Sequence, residues 1–103
     1  MDRVPLLKEI LAQAPGNTLA RYGLAMEYSR AGDIAAALGE FRALLEKDPA
    51  YVPGYQMAAQ MLVAAERGAE ARPFLERGIS EARSTGNQHA AAEMEALLDE
   101  ISR

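Results

Sequence analysis

An all-α chain of about six helices, folded as a series of antiparallel hairpins, is what this sequence predicts, and three observations predict it. Helix breakers punctuate the chain at Pro15-Gly16-Asn17, Gly32-Asp33, Asp48-Pro49, Gly68 and Gly86-Asn87. No stretch between them alternates apolar and polar residues with the period of a strand. The third observation is an internal repeat, because Pro15 and Pro49 lie 34 residues apart and other residues recur at the same offset. Leu7 maps onto Phe41 and Leu75, Ile10 onto Leu44, Leu11 onto Leu45 and Ile79, Ala25 onto Ala59, and Ala37 onto Ala71. A period this long, with a turn at its middle and a proline near its end, is too long for a heptad and too interrupted for one continuous helix. It describes a helical hairpin used more than once.

Asp2 is placed to cap the first helix, and Pro5 falls in its first turn, where a missing amide hydrogen costs nothing because no helical acceptor is available. That helix runs to about Ala14. Pro15-Gly16-Asn17 then supplies a stop, a residue tolerant of positive φ and a cap in succession, and the second helix runs to about Ala31. Gly32 and Asp33 repeat the stop and the cap, starting a third helix that reaches about Lys47. The fourth begins near Pro53 and ends around Glu66 to Arg67, and Gly68 opens the fifth. Pro73 lies late for a first-turn proline, so this helix should start tightly or bend. Gly86-Asn87 sets off the sixth.

Between Thr18 and Tyr51 the residues Leu24-Ala25, Tyr28, Gly32-Asp33, Ala37, Phe41 and Asp48-Pro49 stand in the spacing of a tetratricopeptide repeat, which the segment resembles. A second copy, 52–85, carries Tyr55, Ala59, Leu62, Ala71 and Leu75; its turn glycine is displaced to Gly68 and it lacks the closing proline. Residues 1–16 look like the second helix of a preceding repeat and 87–103 like a capping helix, so that 1–103 reads as one domain. The resemblance implies a right-handed superhelical stack of hairpins whose first helices line a concave surface that holds peptides or helices. One departure stands out: Arg21 sits where the family places a large aromatic and where the second copy has Tyr55, with Tyr22 beside it to compensate.

The small residues Ala25, Ala37, Ala59 and Ala71 permit close helix approach, and Phe41, Leu75, Tyr28 and Leu62 fill the space between. These residues are core. In the sixth helix Ala90, Met94, Leu97, Leu98 and Ile101 share a stripe, while Glu93, Glu95, Asp99, Glu100 and Arg103 fall on the solvated side. On the fifth, Arg72 with Glu76 and Arg77 with Glu81 are at i,i+4 spacing and read as an outer, wet face.

A net charge of -4 and a pI near 5.0 argue against a nucleic-acid partner, which needs clustered Lys and Arg. There is no cysteine, which fits a cytoplasmic chain and removes thiol chemistry and thiolate metal sites. Asp2, Arg3, Lys8 and Glu9 spoil an export signal, and the longest uncharged stretch, from Pro49 to Ala65, is too short and too polar for a membrane span. Catalytic machinery is missing as well. His89 is the single histidine, no glycine-rich loop follows a strand, and the glycines serve as helix punctuation, so neither cofactor nor metal is expected.

What remains is a binding face. The fourth helix has no charged residue between Tyr51 and Ala65, and its inner side should carry Gln56, Gln60, Val63 and Ala64. The second helix should contribute Tyr22, Met26, Ser29 and Arg30, giving an apolar trough with amide groups and one cation. Some tetratricopeptide modules clamp a carboxylate with Lys and Asn where this chain has Tyr22, Met26, Gln56 and Gln60, so that activity does not carry over. A protein or peptide partner, such as an amphipathic helix, suits Met and aromatic surface. The alternatives are self-association through an exposed repeat face and plain burial of the fourth helix on all sides.

Overall fold

The computed structural model describes residues 2–103; Met1, counted above in the segment 1–16, lies outside them. Six helices follow in order: α1 (Val4–Gln13), α2 (Thr18–Arg30), α3 (Ile34–Lys47), α4 (Val52–Ala64), α5 (Gly68–Ser84) and α6 (Gln88–Ile101). Local chemistry explains their ends. Asn17, Asp33 and Asn87 each accept a hydrogen bond from the amide three residues on, at 3.0, 3.1 and 3.1 Å. Asp2 acts from one position further out than expected: Arg3 holds the cap position, and the Asp2 carboxylate accepts from the Val4 amide at 3.0 Å. Tyr51 and Arg67 give no side-chain cap to α4 and α5. Arg67, one repeat on from Asp33, instead clasps Glu70 through two hydrogen bonds of 2.6 and 2.7 Å, which raises the pKa of its guanidinium.

The hairpin turns share one geometry; Gly68 opens α5 as expected, but it is not the displaced turn glycine. After α2, the Asp33 amide donates to the Tyr28 carbonyl at 2.9 Å and Gly32 takes φ +79°. After α4, Arg67 donates to Leu62 at 2.8 Å; after α5, Asn87 donates to Ala82 at 2.7 Å with Gly86 at φ +77°. These are left-handed helix stops, in which the backbone needs positive φ at one residue. In the turn after α4 that residue is Glu66, at φ 60°, one repeat on from Gly32. The glycine has therefore been replaced, and Gly68 is the first residue of α5. A side chain in this conformation costs on the order of 1 kcal/mol, partly offset by the entropy a glycine would lose on folding. Glu66→Gly is thus expected to stabilise the protein by about 0.5 kcal/mol, read as a raised urea midpoint with an unchanged slope. A lowered midpoint would show that the Glu66 side chain itself holds the turn.

α5 runs unbroken through Pro73, which is exposed, and its first turn is tight, as expected: the Glu70 amide donates to the Arg67 carbonyl three residues back at 3.1 Å. The chain comprises two compact units, Met1–Asp48 and Pro49–Arg103. In the first, α2 packs along α3 and α1 along α2, around Leu7, Leu11, Ala20 and Leu24 with Val4, Ile10 and Tyr28 against them. Tyr28 is half-buried there and not full core. In the second, α5 packs between α4 and α6, and α4 also meets α6 directly. Ala25, Ala37, Ala59 and Ala71 are completely buried, as are Phe41, Leu62 and Leu75.

Each unit solves the same packing problem with different residues. In the second, the Tyr55 hydroxyl donates to the Pro49 carbonyl at 2.7 Å, and Gly78 leaves room for the base of the Tyr55 side chain. One repeat earlier, Arg21 donates to the carbonyl of Pro15 at 3.2 Å, and the place of Gly78 is taken by buried Leu44, which borders the same crevice as Arg21 and Pro15. The bond to the proline carbonyl is kept while bulk moves from one helix to its neighbour. Arg21 is further held by Glu40 at 2.7 Å, and Tyr22 presents its ring edge-on to Phe41, with centroids 6.4 Å apart. Tyr22 thus supplies the aromatic contact in this hairpin.

Candidate functional site

On α2, buried Ala20, Leu24 and Ala25 fix which face turns inward, and the residues expected to bind a partner lie beside that stripe. Tyr22, Met26 and Ser29 are half-buried and Arg30 is exposed. Tyr22 borders a 410 Å³ crevice with Leu7, Ile10, Leu19 and Ala20, and Arg30 borders a second, of 550 Å³, with Val4, Glu27 and Tyr28. The cation at Arg30 is partly neutralised, since its guanidinium donates to Glu27 at 3.0 Å, and Arg3 approaches the same carboxylate at 3.5 Å. Apolar surface also appears where sequence reasoning looked past it. Leu19, on the rim of the first crevice, is 71% exposed and Leu6 is 62% exposed. Their exposure had a readable signal: Leu6 adjoins buried Leu7 and Leu19 adjoins buried Ala20, so each stands a third of a turn off the inward stripe.

On α4, the inward residues are Val52, Gly54, Tyr55, Ala58, Ala59, Met61 and Leu62. The helix is not buried on all sides. Gln60 and Ala64 are exposed and Gln56 and Val63 half-buried, which leaves an uncharged strip open to solvent. α6 lies beside it. The Gln56 amide donates to the Glu93 carboxylate at 3.2 Å, and His89 stands 3.3 Å from the same carboxylate. Glu93 is solvated, as its polar pattern suggested, and it lies on the flank of α6 that borders α4. Glu95 does look the other way, accepting from Arg83 of α5 at 2.7 Å, and Arg72 reaches Ser102 at 2.8 Å. Of the two expected pairs on α5, Arg77 and Glu81 stand 3.5 Å apart.

Nothing in these arrangements assembles a reacting constellation. Among the described residues no group of three or more His, Cys, Asp or Glu could hold a metal ion, and no buried side-chain polar atom lacks a hydrogen-bond partner. No helix of the described residues is long and apolar enough to cross a membrane.

The repeated hairpin, its turns and its alanine contacts can be set against known proteins. A family model described as the tetratricopeptide repeat matches residues 28–98. The chain belongs to the tetratricopeptide repeat family. A tetratricopeptide-repeat-containing protein of Pseudomonas aeruginosa is 33% identical over 97 residues, spanning 94% of this chain and 92% of that protein. Among solved structures, a protein from Bordetella parapertussis is 31% identical with a TM-score of 0.81, covering 97% of this chain and 87% of its own. A tetratricopeptide repeat domain protein from Salinibacter ruber is 28% identical with a TM-score of 0.74, covering 84% and 96%. The TPR2B domain of yeast Sti1, in its complex with pHsp70, shares the fold at 22% identity and a TM-score of 0.86, covering 96% and 79%. The fold is thus the tetratricopeptide α-solenoid of helical hairpins, and the chain is a protein–protein interaction module of that family.

Proposed function

We propose that this tetratricopeptide module holds a peptide or amphipathic helix on the open faces of its hairpins' first helices. The binding residues are Tyr22, Met26, Ser29 and Arg30 on α2, and Gln56, Gln60 and Val63 on α4. The observation that carries this reading is the open, uncharged strip on α4: a solvent-facing helix surface without charge is unusual unless something covers it. Support also comes from the Sti1 domain, a related fold captured with pHsp70. Seating an aromatic or Met anchor contributes about 1 to 3 kcal/mol, whereas exposed Arg30, shared with Glu27, orients the partner more than it tightens it. A cytoplasmic setting and a protein partner, not nucleic acid, fit the lack of cysteine and the acidic charge.

Affinity capture from the source cell tests this directly, using variants checked for helicity by circular dichroism. Val63→Asp should lose the partner, Arg30→Ala should weaken it modestly, and Glu76→Ala on the exposed side of α5 should change nothing. A folded Val63→Asp that binds normally while Glu76→Ala fails would place the functional face elsewhere. A second reading, self-association, is favoured by exposed Leu6 and Leu19 beside the α1–α2 crevice. It predicts a solution mass that rises with concentration and falls back to monomer in Leu19→Asp.

A further inference from the structure

We infer that the partner segment seated on α4 is cationic: an amphipathic helix carrying Lys or Arg seven residues apart, which Glu93 and Glu100 of α6 receive. This rests on the reading of the α4 face as the partner site and names the chemistry of what it takes.

Three observations within the unit Pro49–Arg103 carry it. α4 presents uncharged Gln56, Gln60 and Val63 to solvent, so it sets no charge preference of its own. α6 has no Lys or Arg from Gln88 to Ile101 and borders that strip with its carboxylates, as the bond from Gln56 to Glu93 shows. α5 runs antiparallel to both neighbours, since its first residue, Gly68, follows the end of α4 and stands beside Ile101 at the end of α6, while Gly78 further along stands beside Tyr55 and Met94, so α4 and α6 run in the same direction. Seven residues beyond that bond, Val63 and Glu100 therefore stand at a common level. Glu93 and Glu100 lie on one flank of α6 with half-buried Leu97 between them, about 10.5 Å apart along the axis. The result is an apolar and amide floor edged by two carboxylates on one side.

The groups that could cancel this charge are few. His89 is largely exposed and adjoins Glu93, Arg103 is taken by Asp99 at 3.0 Å, and Arg67 is taken by Glu70. Glu93 keeps half its surface in water and Glu100 is exposed, so both remain available to a ligand. A helix with Lys at i and i+7 matches their separation, while its apolar stripe covers Val63 and Leu97. An acidic segment would meet like charge at both points. Exposed pairs of this kind are each worth a factor of up to about five in affinity at low salt.

Three synthetic amphipathic peptides, identical except for Lys, Gln or Glu at two positions seven apart, test the inference by fluorescence anisotropy with the full chain. The Lys peptide should bind about tenfold tighter than the Glu peptide. The preference should shrink between about 0.05 and about 0.5 M salt and disappear in the double variant Glu93→Gln/Glu100→Gln, whose exposed, isosteric changes leave the fold intact. Equal binding of all three peptides, each weakened by Val63→Asp, would overturn the charge inference and leave the α4 reading standing. Tighter binding of the Glu peptide, or a preference that survives in the double variant, would overturn it equally. If no peptide binds while Val63→Asp still loses the captured partner, the inference alone falls; if Val63→Asp is also harmless, both fall.

Discussion

Gly78→Ala is expected to destabilise the protein by about 2 kcal/mol, while the same substitution at Gly39 stabilises it by about 0.5 to 1 kcal/mol. Both glycines lie inside helices, where alanine is favoured by up to about 1 kcal/mol when nothing obstructs it. Around Gly39 nothing lies within 4 Å of the added methyl group, so the propensity gain is realised. Around Gly78 the methyl carbon would stand 2.7 Å from both the Tyr55 Cβ and the Met94 sulfur. The Met side chain has freedom to withdraw, but the Tyr55 Cβ is fixed to the α4 backbone, so α4 and α5 must part. Overpacking of this kind costs 1 to 3 kcal/mol, roughly, and outweighs the propensity term. Chemical melts of the two variants should move in opposite directions. Parallel stabilisation would mean that the α4–α5 contact yields easily and that Gly78 is not what sets it.

The larger loss is expected from Ala37→Glu. Ala37 has no solvent exposure in the α2–α3 hairpin, and a glutamate there brings both excess volume and a carboxylate with no partner. The change should cost about 4 kcal/mol, comparable to the whole stability of a small domain. Glu95→Ala is the control. It removes one exposed contact with Arg83, and its midpoint should stay within about half a kcal/mol of the parent. Equal midpoints for the two variants would mean that the core is not where the alanines place it.

How much of this was legible in the sequence depends on the range of the interaction responsible. Asn17, Asp33 and Asn87 were readable as caps because each bonds an amide three residues away, a distance that the sequence itself measures. The alanine contacts were readable because the repeat marks them twice. Glu66 was missed because positive φ is usually advertised by glycine, and here the turn keeps the conformation without the residue that favours it. The exchange of Tyr55 and Gly78 for Arg21 and Leu44 was half visible: sequence flagged Arg21 as a departure, but the compensating change lies on another helix. Glu93 shows the same limit at the candidate site. A helical wheel separates the polar side of α6 from its buried stripe, yet only the packing of α6 on α4 decides that Glu93 meets Gln56 while Glu95 meets Arg83.

The proposal that the first helices carry the binding face is tested most directly by an amide chemical-shift map of the isotope-labelled chain titrated with the partner it captures. The expected shifts gather on α2 around Tyr22, Met26 and Ser29 and on α4 around Gln56, Gln60 and Val63, with the exposed side of α5 at Glu76 and Arg77 unmoved. Shifts confined to α5 and α3, with those α2 and α4 residues silent, would contradict the account.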